Sequence, residues 1–327
     1  MALHLSVIIP TRNRSKLLAR CLDSICQQTL SNDLFEVLII DNGSIDDTYS
    51  VYNEYKEKIK NLNYHVEPVS GLHAGRHAGL RLAKGDILVF CDDDIRAFPT
   101  WLEGVLESFE SQEVALVGGK ILPDYESEPP EWLNQLWNEN KRGRRLGYLS
   151  LLDFGDSICD IQPTFVWGCN FSIRKSVLIE CGGFHPDAMP KELLRYRGDG
   201  ETHVSTYIMK KGYKAIYNPK ASVYHLVSKA RMTEEYFKYR AYLQGISDSY
   251  TQIRILGDIK KKDNIILILK RFKSYIEGLK NPLKSILFNS YHDGYMFHHQ
   301  EVKKDKALLK WVLKRDYLKN ITDFGTE

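Results

Sequence analysis

The sequence predicts an α/β fold, a mostly parallel sheet flanked by helices with a C-terminal helical appendage. Three observations predict it. Short runs rich in β-branched residues alternate with segments of helical period through the first hundred residues, the pattern of βαβ units. The polar residues suited to chemistry follow the ends of those runs, where an open α/β sheet places its ligands. Composition then changes along the chain: residues 1–228 carry 25 Lys and Arg against 30 Asp and Glu, whereas residues 229–327 carry 20 against 12. The expected domains are therefore 1–228, the α/β body, and 229–327, a basic and mainly helical region.

The elements follow in order. "LSVIIP" (5–10) and "FEVLIID" (35–41) are apolar runs closed by a breaker or polar turn, as buried strands are. Between them Leu17, Leu18, Cys21, Leu22 and Ile25 repeat at helical spacing. A helix over 46–60, a strand near "YHVEP", a helix over "AGRHAGLRLAKG" and the strand "DILVFCD" continue the alternation. A helix in "PTWLEGVLESFE" and a single strand "VALVGGKIL" are expected next, then an irregular, mobile stretch from Pro123 to Asp160 rich in turn-forming residues. Apolar and basic residues interleave over Lys260–Lys284 and Lys303–Lys319, which predicts helices with one buried and one cationic face.

Of the 327 residues 43% are hydrophobic, an ordinary globular proportion, and no run approaches the ~18 apolar residues of a membrane span. The N-terminus lacks the features of a secretory leader, so the expected compartment is the cytoplasm. Cys21, Cys26, Cys91, Cys159, Cys169 and Cys181 form no C-x-x-C pair and are read as reduced core residues. An acidic body and the absence of recognised nucleic-acid motifs argue against a nucleic-acid partner.

One stretch, "GDILVFCDDDI" (85–95), sets three consecutive aspartates at a strand end. Adjacent carboxylates repel, so the cluster is either spread in solvent or gathered around positive charge. Mg²⁺ and Mn²⁺ take oxygen ligands, and Mg²⁺ is usually held by one or two carboxylates together with substrate phosphates.

With the D-x-D in place, several stretches together resemble the family 2 glycosyltransferases of GT-A, Rossmann-like fold. These are "SVIIPTRNR", "FEVLIIDNGSIDDT", "GLHAGRHAGLRLAKGDILVFCDDDI", "GCNFSIRKSVLIECGGFHPD" and "GDGETHVSTYIMKKGYKAIYNPKASVYH", which cover residues 4–228 in the family's order. The resemblance implies that 1–228 is a nucleotide-sugar-binding, catalytic domain. Pro10, Thr11 and Arg14 would line the nucleotide pocket, with Asp41 accepting a hydrogen bond from the base. Asn42 stands where many members carry a second acid. Arg76 matches the family pattern, whereas His77 replaces a common asparagine; Gly71, Gly75 and Gly79 fit close helix packing as well as ligand contact. Asp92, Asp93 and Asp94 form the acidic motif, with Asp92 toward the ribose or metal, Asp94 as ligand of Mn²⁺ or Mg²⁺, and His225 as third ligand. Trp167 would face a sugar or simply fill the core.

Inverting transfer needs a carboxylate to take the acceptor's proton. Counting back from Gly212 and Tyr213 places Glu201 at the family's base position, with Asp199 two residues earlier as the alternative because the pattern is D-G-E rather than E-D. The implied reaction moves a sugar from a nucleotide-sugar donor, UDP before GDP or dTDP, to a glycan or lipid-linked acceptor, in bacterial polysaccharide or related glycan assembly. The basic tail is read three ways: a peripheral membrane contact, a cover over the acceptor cleft, or a solvated helical face. A nucleotidyltransferase and a non-catalytic nucleotide-sugar-binding scaffold are the competing functions.

Overall fold

The computed structural model describes residues 4–69, 71–259 and 282–318. Its strands are β1 (Leu5–Thr11), β2 (Phe35–Asp41), β3 (Leu62–Val66), β4 (Ile87–Cys91), β5 (Ile95–Ala97), β6 (Val114–Gly118), β7 (Ile121–Tyr125), β8 (Asn138–Asn140), β9 (Gly143–Leu146), β10 (Leu151–Asp153), β11 (Cys159–Asp160), β12 (Asn170–Arg174), β13 (Lys214–Tyr217) and β14 (Val223–Val227). Eight of them form one sheet in the order β11-β13-β6-β12-β4-β1-β2-β3, and six a smaller one in the order β5-β14-β7-β10-β9-β8. The β4-β1-β2-β3 half is parallel, and β12 enters antiparallel between β4 and β6.

Every residue of β1, β2 and β4 is buried, as continuous apolar runs in a sheet covered on both faces must be. The helices of the body are α1 (Ser15–Cys26), α2 (Thr48–Tyr55), α3 (Leu72–Leu82), α4 (Trp101–Ser108), α5 (Glu131–Asn134), α6 (Lys175–Glu180) and α7 (Glu201–Lys211). The helix expected over 46–60 is shorter at both ends, and at its start Asp46 stays outside it. Its carboxylate accepts the Ser15 N–H at the start of α1 and the Thr48 N–H and hydroxyl at the start of α2.

Two expectations are corrected. "VALVGGKIL" is not one strand: the chain leaves the large sheet after β6 and joins the small one as β7, turning at Gly119, where a Cβ would overlap the Ala221 backbone. Residues 123–160 are not irregular, since they supply β8 to β11, three of which are half the strands of the small sheet. Strands of two to four residues with polar sequences such as "NEN" are too short for an alternation to show. The six cysteines are free, but Cys26 is exposed and Cys159 half-buried rather than in the core.

After β14 the chain forms α8 (Glu234–Leu256), which pairs along its length with the helix Pro282–Lys304; a short helix, Lys306–Val312, follows. Phe237 and Ala241 of α8 belong to the main core, whereas Tyr250, Ile253, Val302, Leu308 and Val312 form a second cluster. Lys303, Lys304, Lys306 and Lys310 are exposed opposite the buried Leu308, Trp311 and Val312. Residues 260–281 and Lys319 of the expected basic helices lie outside the described residues.

At the centre of the body α3 lies hard against β1, where a Cβ on Gly79 would overlap the Ile8 side chain and one on Gly75 would meet Asn42 and Pro10. Gly79→Ala should therefore destabilise by about 1–3 kcal/mol, the usual cost of overpacking a core. Urea unfolding of the variant checks this; unchanged stability would show that Ile8 moves freely aside.

Candidate active site

The three aspartates occupy the link by which the chain passes from β4 to β5, between the two sheets. Arginines from separate elements meet them. Arg14, just before α1, contacts Asp93 at 2.6 Å and Asp94 at 2.7 Å. Arg76 of α3 lies 3.8 Å from Asp92, and Arg231, after β14, 3.8 Å from Asp94. Thr11 at the end of β1 donates to Asp93 at 2.7 Å. Burial pushes the Asp93 carboxyl up to about 7, against the pull of Arg14. Arg14 thus faces the acidic cluster while also lining the adjoining cavity.

His225, in the middle of β14, faces the cluster from the small sheet. Its Nδ1 lies 3.0 Å from the Leu149 carbonyl, which can only accept, so Nδ1 carries the proton and Nε2 offers a lone pair. Arg231 donates to that lone pair at 3.2 Å. Asp94 Oδ1 is 3.4 Å from the same Nε2 and is buried without a hydrogen-bond donor. Two acceptors turned toward each other in a buried place fit a cation; here the Arg231 guanidinium supplies that charge, and a metal ion bound to Nε2 would have to displace it. Asp92, Cys169 and His225 also bring ligand atoms within 4.8 Å of one another. Sulfur is a soft donor, so the donors suited to a hard divalent ion are Asp92, Asp94 and His225.

Glu201 opens α7 and reaches the opposite side of Arg76. Its Oε1 accepts the Gly168 N–H at 3.1 Å and its Oε2 lies 3.5 Å from the Arg76 guanidinium. Gly168 permits that approach, because a Cβ there would overlap Arg76. Trp167, half-buried against the main core, precedes it. Asp199 is placed differently: His185 and Thr251 each contact one of its oxygens at 2.6 Å, and its side chain is 6% exposed against 23% for Glu201.

A cavity of about 380 Å³ opens beside the cluster, lined by Pro10, Thr11, Arg14, Asn42, Asp93 and Met189 among others. Asp41 sits nearby with both oxygens engaged, one by the Ser44 N–H and hydroxyl, the other by the Tyr64 hydroxyl, so its carboxylate braces the turn after β2. Asn42 donates to the carbonyls of Glu67 and Val69, tying that turn to the segment before α3.

The family model "Glycosyl transferase family 2" matches residues 6–182. The chain belongs to that family. Among similar curated proteins, the glucosyl-dolichyl phosphate glucuronosyltransferase of Haloferax volcanii is 24% identical over 297 residues, 84% of this chain and 88% of its own. Validoxylamine A glucosyltransferase of Streptomyces hygroscopicus subsp. jinggangensis is 29% identical over 200 residues, 56% of this chain and 47% of its own. Among solved structures, the mannosyltransferase PcManGT from Pyrobaculum calidifontis, in complex with GDP-Man and Mn²⁺, matches with a TM-score of 0.57 and 21% identity, covering 97% of this chain and 85% of that one. This family 2 glycosyltransferase has the GT-A fold, as expected, and membership sets the nucleotidyltransferase reading aside.

In this glycosyltransferase Arg14, Arg76, Asp92, Asp93, Asp94, His225 and Glu201 are joined by direct contacts along the aspartate triplet and Pro10 and Thr11 line the adjoining cavity, whereas Asp41 is held within the turn after β2 and Asp199 is turned into the C-terminal helices. Arg231 was missed. It lies in an ordinary basic stretch, "SKARM", and only the pairing of β14 with β5 and β7 brings it to Asp94. Around the site, burial lowers the pKa of His73 and His185 to about 4, and that of His298 in the C-terminal helices to about 3. An unfolded histidine binds its proton near pH 6.5, so below that pH the unfolded chain holds protons the native state refuses. Stability should fall as pH drops from 6.5 toward 4, by about 2 kcal/mol per such histidine at pH 5. Urea midpoints at pH 7 and pH 5 test this, and His298→Gln should reduce the difference by about 2 kcal/mol, the share of one histidine; a flat profile in the parent protein would mean that these rings protonate in place.

Proposed function

We propose that this glycosyltransferase is a metal-dependent inverting enzyme that moves a sugar from a nucleotide-sugar donor to an acceptor hydroxyl in bacterial polysaccharide or glycan assembly. The observation that carries the reading is the pair of facing acceptors, Asp94 Oδ1 and His225 Nε2, 3.4 Å apart beside Asp92. Asp92, Asp94 and His225 would hold a Mn²⁺ or Mg²⁺ ion, which when bound offsets the negative charge of the leaving diphosphate. The complex of PcManGT with GDP-Man and Mn²⁺ supports this assignment by likeness of fold.

The chain's own residues do the rest. Pro10, Thr11, Arg14 and Asp93 line the cavity beside the cluster and would seat the nucleotide, UDP before GDP or dTDP, with Asp41 shaping the wall near the base. Arg76 stands between Asp92 and Glu201, where its charge serves donor and base alike. Trp167 offers an aromatic face to the sugar or acceptor. Glu201 is the general base: its Oε1 is oriented by the Gly168 N–H, and the carboxylate takes the acceptor's proton as the new glycosidic bond forms and the anomeric bond to the diphosphate breaks. Asp199 has no oxygen free of a close partner for that task.

Residues 1–228 would then carry donor and metal, and the region 229–327 would support them. Its basic helices suit a peripheral contact at the inner face of the membrane, near a lipid-linked acceptor. The dolichyl-phosphate-linked substrate in the name of the Haloferax volcanii relative fits such an acceptor. Among the described residues no helix is long and apolar enough to cross a membrane.

With Mn²⁺ and a matching UDP-, GDP- or dTDP-sugar at about a hundred times its Kd, Tm should rise by several degrees, the equivalent of about 2.7 kcal/mol. Asp94→Ala should abolish the rise, and silence with every donor in folded protein would sink the reading. Glu201→Gln should slow metal-dependent donor turnover about 10²–10⁴-fold while donor binding by calorimetry persists; undiminished turnover would remove Glu201 from the role of base and leave a donor-binding scaffold in contention.

A further inference from the structure

Ser247, Tyr250 and Thr251 stand at positions i, i+3 and i+4, hence on one face of α8. Each of them touches the loop that delivers Glu201. The Thr251 hydroxyl donates to Asp199 Oδ2 at 2.6 Å, and the Ser247 hydroxyl donates to the Gly198 carbonyl at 2.8 Å while accepting from Arg197 Nε at 3.3 Å. The Tyr250 ring packs edge-on against His185, 5.4 Å between centroids, and His185 contacts the other oxygen of Asp199 at 2.6 Å.

Little slack separates this clamp from the catalytic carboxylate. The Asp199 carbonyl accepts the Thr202 N–H within the first turn of α7, and between Asp199 and Glu201 lies only Gly200, in the left-handed region at φ 53° with Asp187 against it. Asp187 is itself fixed by Arg197 at 2.6 Å. The clamp is backed from outside: the Tyr250 hydroxyl pairs with that of Tyr317 at 2.7 Å, and the Tyr317 N–H donates to the Gly182 carbonyl. Chain beyond residue 300 thus closes over the loop that ends at the active site.

We infer that Thr251 is a positioning residue: through Asp199 it fixes the start of α7, so the C-terminal helical region sets where the Glu201 carboxylate stands. The inference rests on the reading of Glu201 as base. It also gives Asp199, otherwise a spare carboxylate at a suggestive place in the motif, a definite task. Removing the Thr251 hydroxyl leaves a buried carboxylate oxygen without its donor, and the loop must shift to resolve this. A displacement of about 1 Å at the reacting group is enough to cost about 100-fold in rate.

The test compares Thr251→Val, which keeps the shape and loses the donor, with Thr251→Ser, which restores it. Full-length protein is assayed for metal-dependent donor hydrolysis, and donor affinity is measured separately by calorimetry. Thr251→Val should lower kcat about 10–100-fold, with donor Kd changed less than about threefold because β1, β4 and β14 carry the nucleotide and metal positions; Thr251→Ser should recover most of the rate. If Thr251→Val does not fold, Ser247→Ala, which removes the neighbouring contact, takes its place with the same readouts. A parental kcat in the folded variant, a loss shared equally between rate and donor affinity, or no recovery with serine would overturn the proposal. Glu201→Gln run alongside separates the two ideas: its failure to slow turnover sinks the base assignment, whereas slow Glu201→Gln beside normal Thr251→Val sinks only the clamp.

Discussion

Three adjacent carboxylates at a strand end have to be neutralised, and the architecture of the body follows from how that is done. Asp93 and Asp94 are largely desolvated, and buried carboxylates without partners would cost several kcal/mol each. The compensating guanidiniums come from the link between β1 and α1, from α3 and from the segment after β14, places far apart in sequence. They meet because β1 lies beside β4 in the large sheet while β14 pairs with β5 in the small one. A D-x-D at the junction of two sheets is thus a charge-balance problem solved by topology, and the same topology brings His225 to the remaining oxygen of Asp94.

Close backbone approach is the second requirement. Arg76 reaches Asp92 and Glu201 together only because α3 is drawn against β1 and the strand end, with glycine at the contacts with Ile8, Asn42 and Pro10. Gly168 leaves room on the far side for the guanidinium and aims its own N–H at Glu201. Small residues on the helix and in the turn are therefore what let one buried cation serve two acids. The same economy appears at Asp41 and Asp46, whose carboxylates close turns at the rim of the sheet.

The C-terminal helices are joined to this machinery rather than merely attached to it. Phe237 and Ala241 continue the main core, and the hydroxyl-bearing face of α8 grips the loop that precedes α7. Two carboxylates two residues apart consequently have unlike surroundings, one facing the crevice and one consumed in holding the loop. Chemistry of the residue type alone does not separate them; the partners do.

Much of this was legible beforehand. Continuous apolar runs closed by polar turns fixed β1, β2 and β4, because strands buried on both faces leave no other pattern, and the motif order carried the family. Counting back from Gly212 along the family's pattern placed Glu201 at the head of α7. Hidden from such reading were the short polar strands of the small sheet, the break at Gly119, the arrival of Arg231 and the fate of Asp199, each of which depends on contacts between residues tens to hundreds of positions apart. By itself the sequence determined which groups were available and on which local elements they stood; only the tertiary structure decided which charges they would meet, since burial and partner choice are properties of the packed chain.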